Sequence, residues 1–447
     1  MKKFTFILPA MLICFVTTWA QKIKYEKSFD EAKRLSREQN KPLAILITIQ
    51  PPAQATNFTA GLSNWEVVAK FNANFVNYKI NREDTVSRLI TSQYRIYRFP
   101  SFIFLDSKGG LMFREVAMLS NPQKLLITAD QALDAGKEKS MTDFDNEYGS
   151  GVYNAAFLKE YINKRRRAGI TDNAALVEKY VDFLSISDLN DYNQVLFILQ
   201  AGPPADSRTY KLANTNRRII DSIYKTELYD VRTAINNVII SNTMASAISN
   251  KSISTALAAA NFTRTTWGKD YREAQKNYTL KMLQYYGAIK DTTNYLQQAA
   301  HFYDEYYMNI SADSVKKRDA KNLERAKSNA RERAMLNIPE GGALQSFSYT
   351  YASRYFATEL NNAAWSLYKT GTKNGTYLTK AMLWSKRAIE LNPVAAYYDT
   401  FAHLLYRLEL YAEAESSQQK AVEMAKAENR NVKQLQEEFI KIKNKTL

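Results

Sequence analysis

The sequence predicts an α/β domain followed by a long all-α region. Three observations carry this reading. Between residues 29 and 137, segments with apolar residues at helical spacing alternate with short β-branched or aromatic runs. Beyond residue 139, long Tyr-, Ala- and charge-rich helical segments take over and strand-like runs cease. Near the C-terminus, two stretches align at a spacing of 33 residues. The length of 447 residues corresponds to roughly three domains. With 45% hydrophobic and 24% charged residues the composition is that of a soluble globular protein. Few Gly and Pro, and 29 Tyr, suit a largely helical chain packed with aromatics.

The first element is a targeting segment over 1–20. Lys2 and Lys3 form a basic start, "FTFILPAMLICFV" an apolar stretch, and Thr18 and Ala20 the small residues before Gln21. This is the pattern of a secretory signal peptide cut after Ala20, and it is shorter than the ~20 apolar residues of a membrane span. Later segments are too short or too polar to span, so the mature chain is expected to have no transmembrane span and to reside in the periplasm, with secretion as the alternative. Cys14, the one cysteine, lies inside this segment. Ile13 before it is bulky where a lipoprotein signal has a small residue. The mature chain would therefore hold no thiol and form no disulfide.

The next elements alternate. "FDEAKRLSREQ" at 29–39 reads as a helix, with Asp30 and Glu31 in the first turn where the dipole favours acids. "KPLAILITI" reads as a buried strand. "SNWEVVAKFN" reads as a helix, with Ser63 and Glu66 spaced as a capping box. "FVNYKI" is a strand and "DTVSRLITSQY" a short helix. "FPSFIFLD", "SKGG" and "LMFREV" make a hairpin. "NPQKLLITADQALDAGK" is a helix with Pro122 in its first turn. The order is α-β-α-β-α-β-β-α.

Residues 25–136 resemble a thioredoxin-fold domain. The resemblance rests on Lys41 and Pro42 before the first core strand, on Asn72 to Val76 before the next, and on "YRIYRFPSFIFLDSKGG" at 94–110. It covers about a quarter of the chain. In the family the proline of the last stretch is cis, which the resemblance assigns to Pro100, with Ser101 in place of the usual Thr. The family's W-C-x-x-C should fall near Gln50 to Gln54, counting back from Asn74, Phe75 and Val76. Here stands "QPPAQ". Thiol–disulfide exchange needs a thiolate. Pro51, Pro52, Ala53 and Gln54 supply none, so the resemblance implies a binding module in place of a redox enzyme.

From 139 to 345 helices are expected at "AAFLKEYINKRRRAG", with Gly169 as stop, and at "AALVEKYVDFL" and "YNQVLFILQ". Others are expected at "YKLANTNRRIIDSIYK", "VRTAINNVII", "YREAQKNYTLKMLQYYGAIK" and "TNYLQQAAHFYDEYYMN". Helix pairs without strands make an α-solenoid. Within 346–447, "AMLWSKRAIELNP" and "AESSQQKAVEMAK" align, pairing Ala381 with Ala414 and Ala388 with Ala421. Trp365 pairs with Phe401 and Leu378 with Tyr411, and Pro393 takes the terminal position. Over roughly 355–430 this resembles degenerate tetratricopeptide repeats, whose period is ~34. The expected layout is thus a signal peptide at 1–20, a thioredoxin-like domain at 21–138, an α-solenoid region at 139–345 and tetratricopeptide-like repeats at 346–447.

Other groups read as structural. His301 and His403 are the only histidines and lack metal-motif spacing, so no metal or other cofactor is expected. "DFDNEYG" at 143–149 has Tyr148 and Asn154 where a calcium loop needs Gly and Glu. Lys164 to Arg167 end a helix, where cations complement the dipole. Phe302, Tyr303, Tyr306 and Tyr307 read as an aromatic helix seam. The formal charge is +16. With an export signal this points away from nucleic acid and toward acidic partners or an anionic envelope surface.

The expectation is a non-catalytic periplasmic adaptor or scaffold. In the resembled family, backbone beside the cis-proline pairs with an extended peptide. Phe99, Pro100 and the loop Pro51, Pro52, Ala53 and Gln54 would then form a peptide-binding surface with no catalytic residue. Two competing readings are a thioredoxin-type oxidoreductase relative working on a partner's cysteines and a basic envelope-surface binder.

Overall fold

A computed structural model of the chain describes residues 22–49, 58–94, 96, 98–151, 153–335, 352–427 and 431–447. The expected signal segment and the loop Pro51, Pro52, Ala53 and Gln54 lie outside the described residues. Two compact units divide the chain, one of residues up to 203 with 207–238, the other of 204–206 with 239–447.

The first unit begins with a strand too short to show a period, β1 (Tyr25–Glu26). Asn72 holds its approach: Oδ1 accepts from the Lys24 N–H at 2.9 Å and Nδ2 donates to the Lys22 carbonyl at 3.1 Å. Then follow α1 (Phe29–Glu38), β2 (Leu43–Thr48), α2 (Trp65–Asn74), β3 (Val76–Asn81), α3 (Thr85–Gln93), β4 (Ser101–Leu105), β5 (Leu111–Val116) and α4 (Pro122–Lys137). Apart from β1, this is the expected order. One cap differs. Asn64, not Ser63, starts α2, its Oδ1 accepting from the N–H groups of Glu66 and Val67 at 3.0 and 3.2 Å. Ser63 instead ends a short 3-10 turn.

The sheet runs β1-β3-β2-β4-β5. β3 is parallel to β1 and β2, whereas β4 is antiparallel to β2 and β5. All six residues of β2 are buried, as a central strand covered on both faces should be. Ala44 and Leu46 join Phe102 and Phe104 of β4 in one core, covered by Val67, Val68 and Phe71 of α2 and by Leu125, Ala129 and Ala132 of α4. Phe71, Phe75, Phe102 and Phe104 pack at centroid distances of 5.1–6.4 Å, with Phe102 and Phe104 stacked and the other pairs tilted. On the hairpin, Asp106 Oδ1 accepts from the N–H of Lys108 and Gly110, and Gly109 takes φ +91°. That is the turn the "DSKGG" residues favour.

Short helices follow: α5 (Met141–Gly149), α6 (Ala155–Arg167), α7 (Ala174–Tyr180), α8 (Tyr192–Ala201), α9 (Arg208–Ala213) and α10 (Arg217–Thr226). The single helix expected over 210–225 is therefore two, broken at Asn214 to Asn216. Gly169, just past the C-cap of α6, has φ +73°; a Cβ there would meet Arg114 Nε at 2.9 Å. The Arg114 guanidinium donates to the Gly169 and Tyr94 carbonyls, tying β5 to the end of α6. The division between the units falls within α11 (Tyr229–Ser249).

The second unit contains α12 (Ile253–Thr265), α13 (Tyr271–Ala288), α14 (Thr292–Tyr303), α15 (Ala312–Met335), α16 (Ala352–Lys369), α17 (Gly375–Leu391), α18 (Ala395–Arg407), α19 (Tyr411–Ala427) and α20 (Lys433–Lys443). α12 packs through small residues, Ala256, Ala259 and Ala260, against Met282 and Tyr285 of α13. A π-turn at Asp304–Met308 follows α14. It turns Phe302, Tyr306 and Tyr307 into a core shared with Leu360, Trp384 and Leu404, the expected aromatic seam. Asp304 fixes the turn by accepting from Trp384 Nε1 at 2.9 Å and pairing with Lys380. The Asp319 carboxylate caps α16 from 33 positions away, accepting from the Ala352 and Ser353 N–H groups at 2.5 and 3.0 Å. Ala381, Ala388, Ala414 and Ala421, the aligned alanines, are all fully buried.

Candidate functional site

In α/β sheets, binding surfaces form beyond the carboxyl ends of parallel strands. At that end of β2 and β3 a cavity of about 420 Å³ is lined by Thr48, Ile49, Phe58, Thr59, Lys79, Ile80, Asn81 and Asp84. Ile49 and Phe58 are the residues flanking the loop that contains Pro51, Pro52, Ala53 and Gln54. The two strands are pinned together here, with the Thr48 hydroxyl donating to the Ile80 carbonyl at 3.2 Å and the Arg82 N–H to the Thr48 carbonyl at 2.8 Å. Asp84 does not cap α3 with its side chain. Its Oδ2 accepts from the Asn81 N–H at 3.1 Å and closes the loop between strand and helix. Burial, then the Asp84 and Asp30 charges, push the neighbouring Tyr78 hydroxyl above its ordinary value.

The exposed Arg82, next in the chain to Asn81, carries its guanidinium 4.9 Å from the ring centroid of the half-buried Phe99. The Phe99–Pro100 peptide bond is cis. Pro100 is buried and its carbonyl accepts from the Ala117 N–H at 2.8 Å. Ser101 is buried, and its hydroxyl donates to the Arg98 carbonyl at 2.6 Å. The structure thus brings Phe99 and Pro100 together with Arg82.

Large apolar side chains that the sequence reading did not single out are exposed nearby in the chain. Val116 and Met118 flank Ala117, and Trp65 opens α2 at 75% exposure. Trp65 is the first residue of α2, two positions before the first buried one, Val67. Chemically the surface offers apolar contact, a stacked guanidinium and backbone groups. Cys14 being the only cysteine, no cysteine pair exists for thioredoxin-type exchange.

Elsewhere the structural readings of charged groups hold. Residues 141–149 are helical, and Asp145 accepts from the Tyr161 hydroxyl. Lys164, 2% exposed, donates to the Ala135 carbonyl at 2.6 Å. Arg165 pairs with Asp172, Arg166 with Gln200 and Arg167 with Glu138. His301 is exposed beside Glu305. His403 differs, being buried next to Asp399, Gln418 and Glu438. Burial, opposed by the His403 charge, pushes the Asp399 carboxyl up to about 6. The sequence signal was the D-x-x-x-H spacing, which puts the two side chains one helical turn apart. Glu438 and Gln418 come from other helices and carry no local signal.

No family model matches the chain, and no curated protein matches it. Among solved structures the chain is similar to one described as DsbH oxidoreductase, with 17% identity and a TM-score of 0.22, over 26% of this chain and 87% of that one. Among the described residues no helix is long and apolar enough to cross a membrane.

Proposed function

We propose that the chain is a non-catalytic, protein-binding adaptor of the cell envelope, exported to the periplasm. In this reading a thioredoxin-like domain over 21–138 captures an extended peptide. The helices that follow, tetratricopeptide-like over 346–447, form a second protein-binding face. The observation that carries the reading is the cavity at the carboxyl end of β2 and β3, framed by both flanks of a cysteine-free loop. Arg82, which follows the cavity residue Asn81 in the chain, carries its guanidinium over the Phe99 ring and supplies a cation and an aromatic. Aromatic and Arg anchors of this kind dominate binding energy at protein interfaces.

The test uses the chain from Gln21 and an array of extended peptides of varied sequence. Phe99→Ala and Arg82→Gln are expected to weaken capture by about tenfold, a loss of ~1.4 kcal/mol each, with the thermal midpoint unchanged. Full capture by both variants would move the function to the helices. A second reading, attraction to an anionic envelope surface, is favoured by the charge of +16. It predicts co-sedimentation with anionic vesicles that salt abolishes.

A further inference from the structure

The buried polar cluster of the C-terminal helices plays no part in the surface just described. Asp399 and His403 stand one turn apart on α18, Gln418 on α19 and Glu438 on α20. One side-chain atom from each of Asp399, His403 and Glu438 lies within 4.8 Å of the other two. His403 is 4% exposed. Its Nδ1 donates to the Asp399 carbonyl oxygen at 2.8 Å and lies 3.8 Å from the carboxylate Oδ1. Trp365 and Tyr368 of α16 meet the imidazole edge-on, each at 5.4 Å.

The other groups around the cluster bring no further cation to it. From α19 the fully buried Gln418 turns its Nε2 inward, donating to Asp399 Oδ1 at 2.8 Å and to the Leu435 carbonyl at 3.3 Å. From α17 the Ser385 hydroxyl donates to the Tyr397 carbonyl at 3.3 Å. On α18 itself the Arg407 guanidinium is taken up by Tyr368, stacking over its ring and donating to its carbonyl. On α20 the half-buried Glu438 accepts from Gln434 Nε2 at 3.1 Å, while Glu437 and Lys441 are exposed. Among the described residues, no Lys or Arg forms an ion pair with Asp399 or Glu438.

A protonated His403 sets one positive charge against two carboxylates, which leaves one negative charge in the cluster without a partner. A single proton held between Asp399 and Glu438 removes it. Burial first, with the Glu438 charge and a hydrogen bond to its side chain, pushes the Asp399 carboxyl from 3.8 up to about 6, against the pull of His403 and the Gln418 amide. We propose that the proton between Asp399 and Glu438 is a pH-sensitive latch that fastens α20 to α18 and α19. The face under the latch is apolar. Ile442 of α20 packs with Ala402 and Leu405 of α18 and Ala414 of α19. Leu405 also lines a cavity of about 750 Å³ with Tyr398 and Phe401. A loosened α20 extends that apolar face to Ala402 and Ala414.

Released from α20, Asp399 returns toward 3.8, so docking is tightest near pH ~4, weakens as pH rises to about 6 and is level above that. The test is amide hydrogen exchange of the full chain from about pH 4.5 to about pH 7.5, corrected for the intrinsic pH dependence of exchange, with α12 as internal reference. Protection across Lys433–Lys443 is expected to fall at least ~tenfold over this range, with that of α12 unchanged. Glu438→Gln, whose amide donates to Asp399 without titrating, should keep α20 protected throughout. Glu437→Gln, at the exposed neighbouring position, should behave as the unaltered chain. A flat profile in the unaltered chain, the same fall in Glu438→Gln, a fall shared by α12, or protection that rises with pH would overturn the latch.

Discussion

Tyr25 places a hydroxyl at the edge of the sheet where no described group meets it. Burial pushes that hydroxyl up to about 12. A buried donor without a partner costs ~1–3 kcal/mol. Tyr25→Phe keeps the ring and removes the orphan, so it should leave the chemical-denaturation midpoint unchanged or raise it. A clear loss would mean that the hydroxyl has a partner. The same scale explains where the sequence was hard to read. Ser63 and Glu66 satisfied a capping pattern, yet Asn64 holds the cap, because one residue of shift decides which side chain faces the free N–H groups. Asp399 and His403 were legible as a spacing, whereas the Gln418 and Glu438 that complete their cluster come from two other helices.

At the level of elements, α19 packs through Ala414 and Ala421, both without exposure. Adding methylenes to such a site typically costs ~1–3 kcal/mol. Ala414→Leu should lower the thermal midpoint accordingly, and an unchanged midpoint would show that α18 and α19 leave room there. The aromatic seam gives a pH prediction. Burial first of all holds the Tyr303 and Tyr307 hydroxyls far above their ordinary value of 10.0. The unfolded chain then releases these protons at lower pH than the folded one, so stability is full below about pH 10 and falls as pH rises beyond it. Thermal melts at increasing alkaline pH should show this fall, smaller in Tyr307→Phe; a flat profile in both proteins would contradict it. The strands and the long amphipathic helices were readable because their periods are strong. α12 was not, since its buried stripe is Ala256, Ala259 and Ala260, which hardly stand out from their surroundings. The two-residue β1 has no period to read, and the π-turn after α14 exists because Asp304 binds residues of a distant helix.

At the scale of the whole molecule, the sequence placed the cysteine-free loop and Phe99 at one end of the sheet through a resemblance. The residues at the loop's flanks, Ile49 and Phe58, were brought to the same cavity only by the fold. A chain with one cysteine, Cys14, has no pair for disulfide exchange. The chain from Gln21 should give no insulin reduction above the reductant blank, and a clear rate would refute the non-catalytic reading. The central claim is that partner peptides meet the Phe99 end of the sheet, and site-specific photo-crosslinking tests it most directly. A photoreactive residue would replace Phe99 in one protein and Lys108, in the turn at the opposite end of β4, in another. Incubated with the best peptide from the array, the account predicts a crosslink from position 99 and none from 108. Crosslinking from both alike, or from 108 and not from 99, would contradict it.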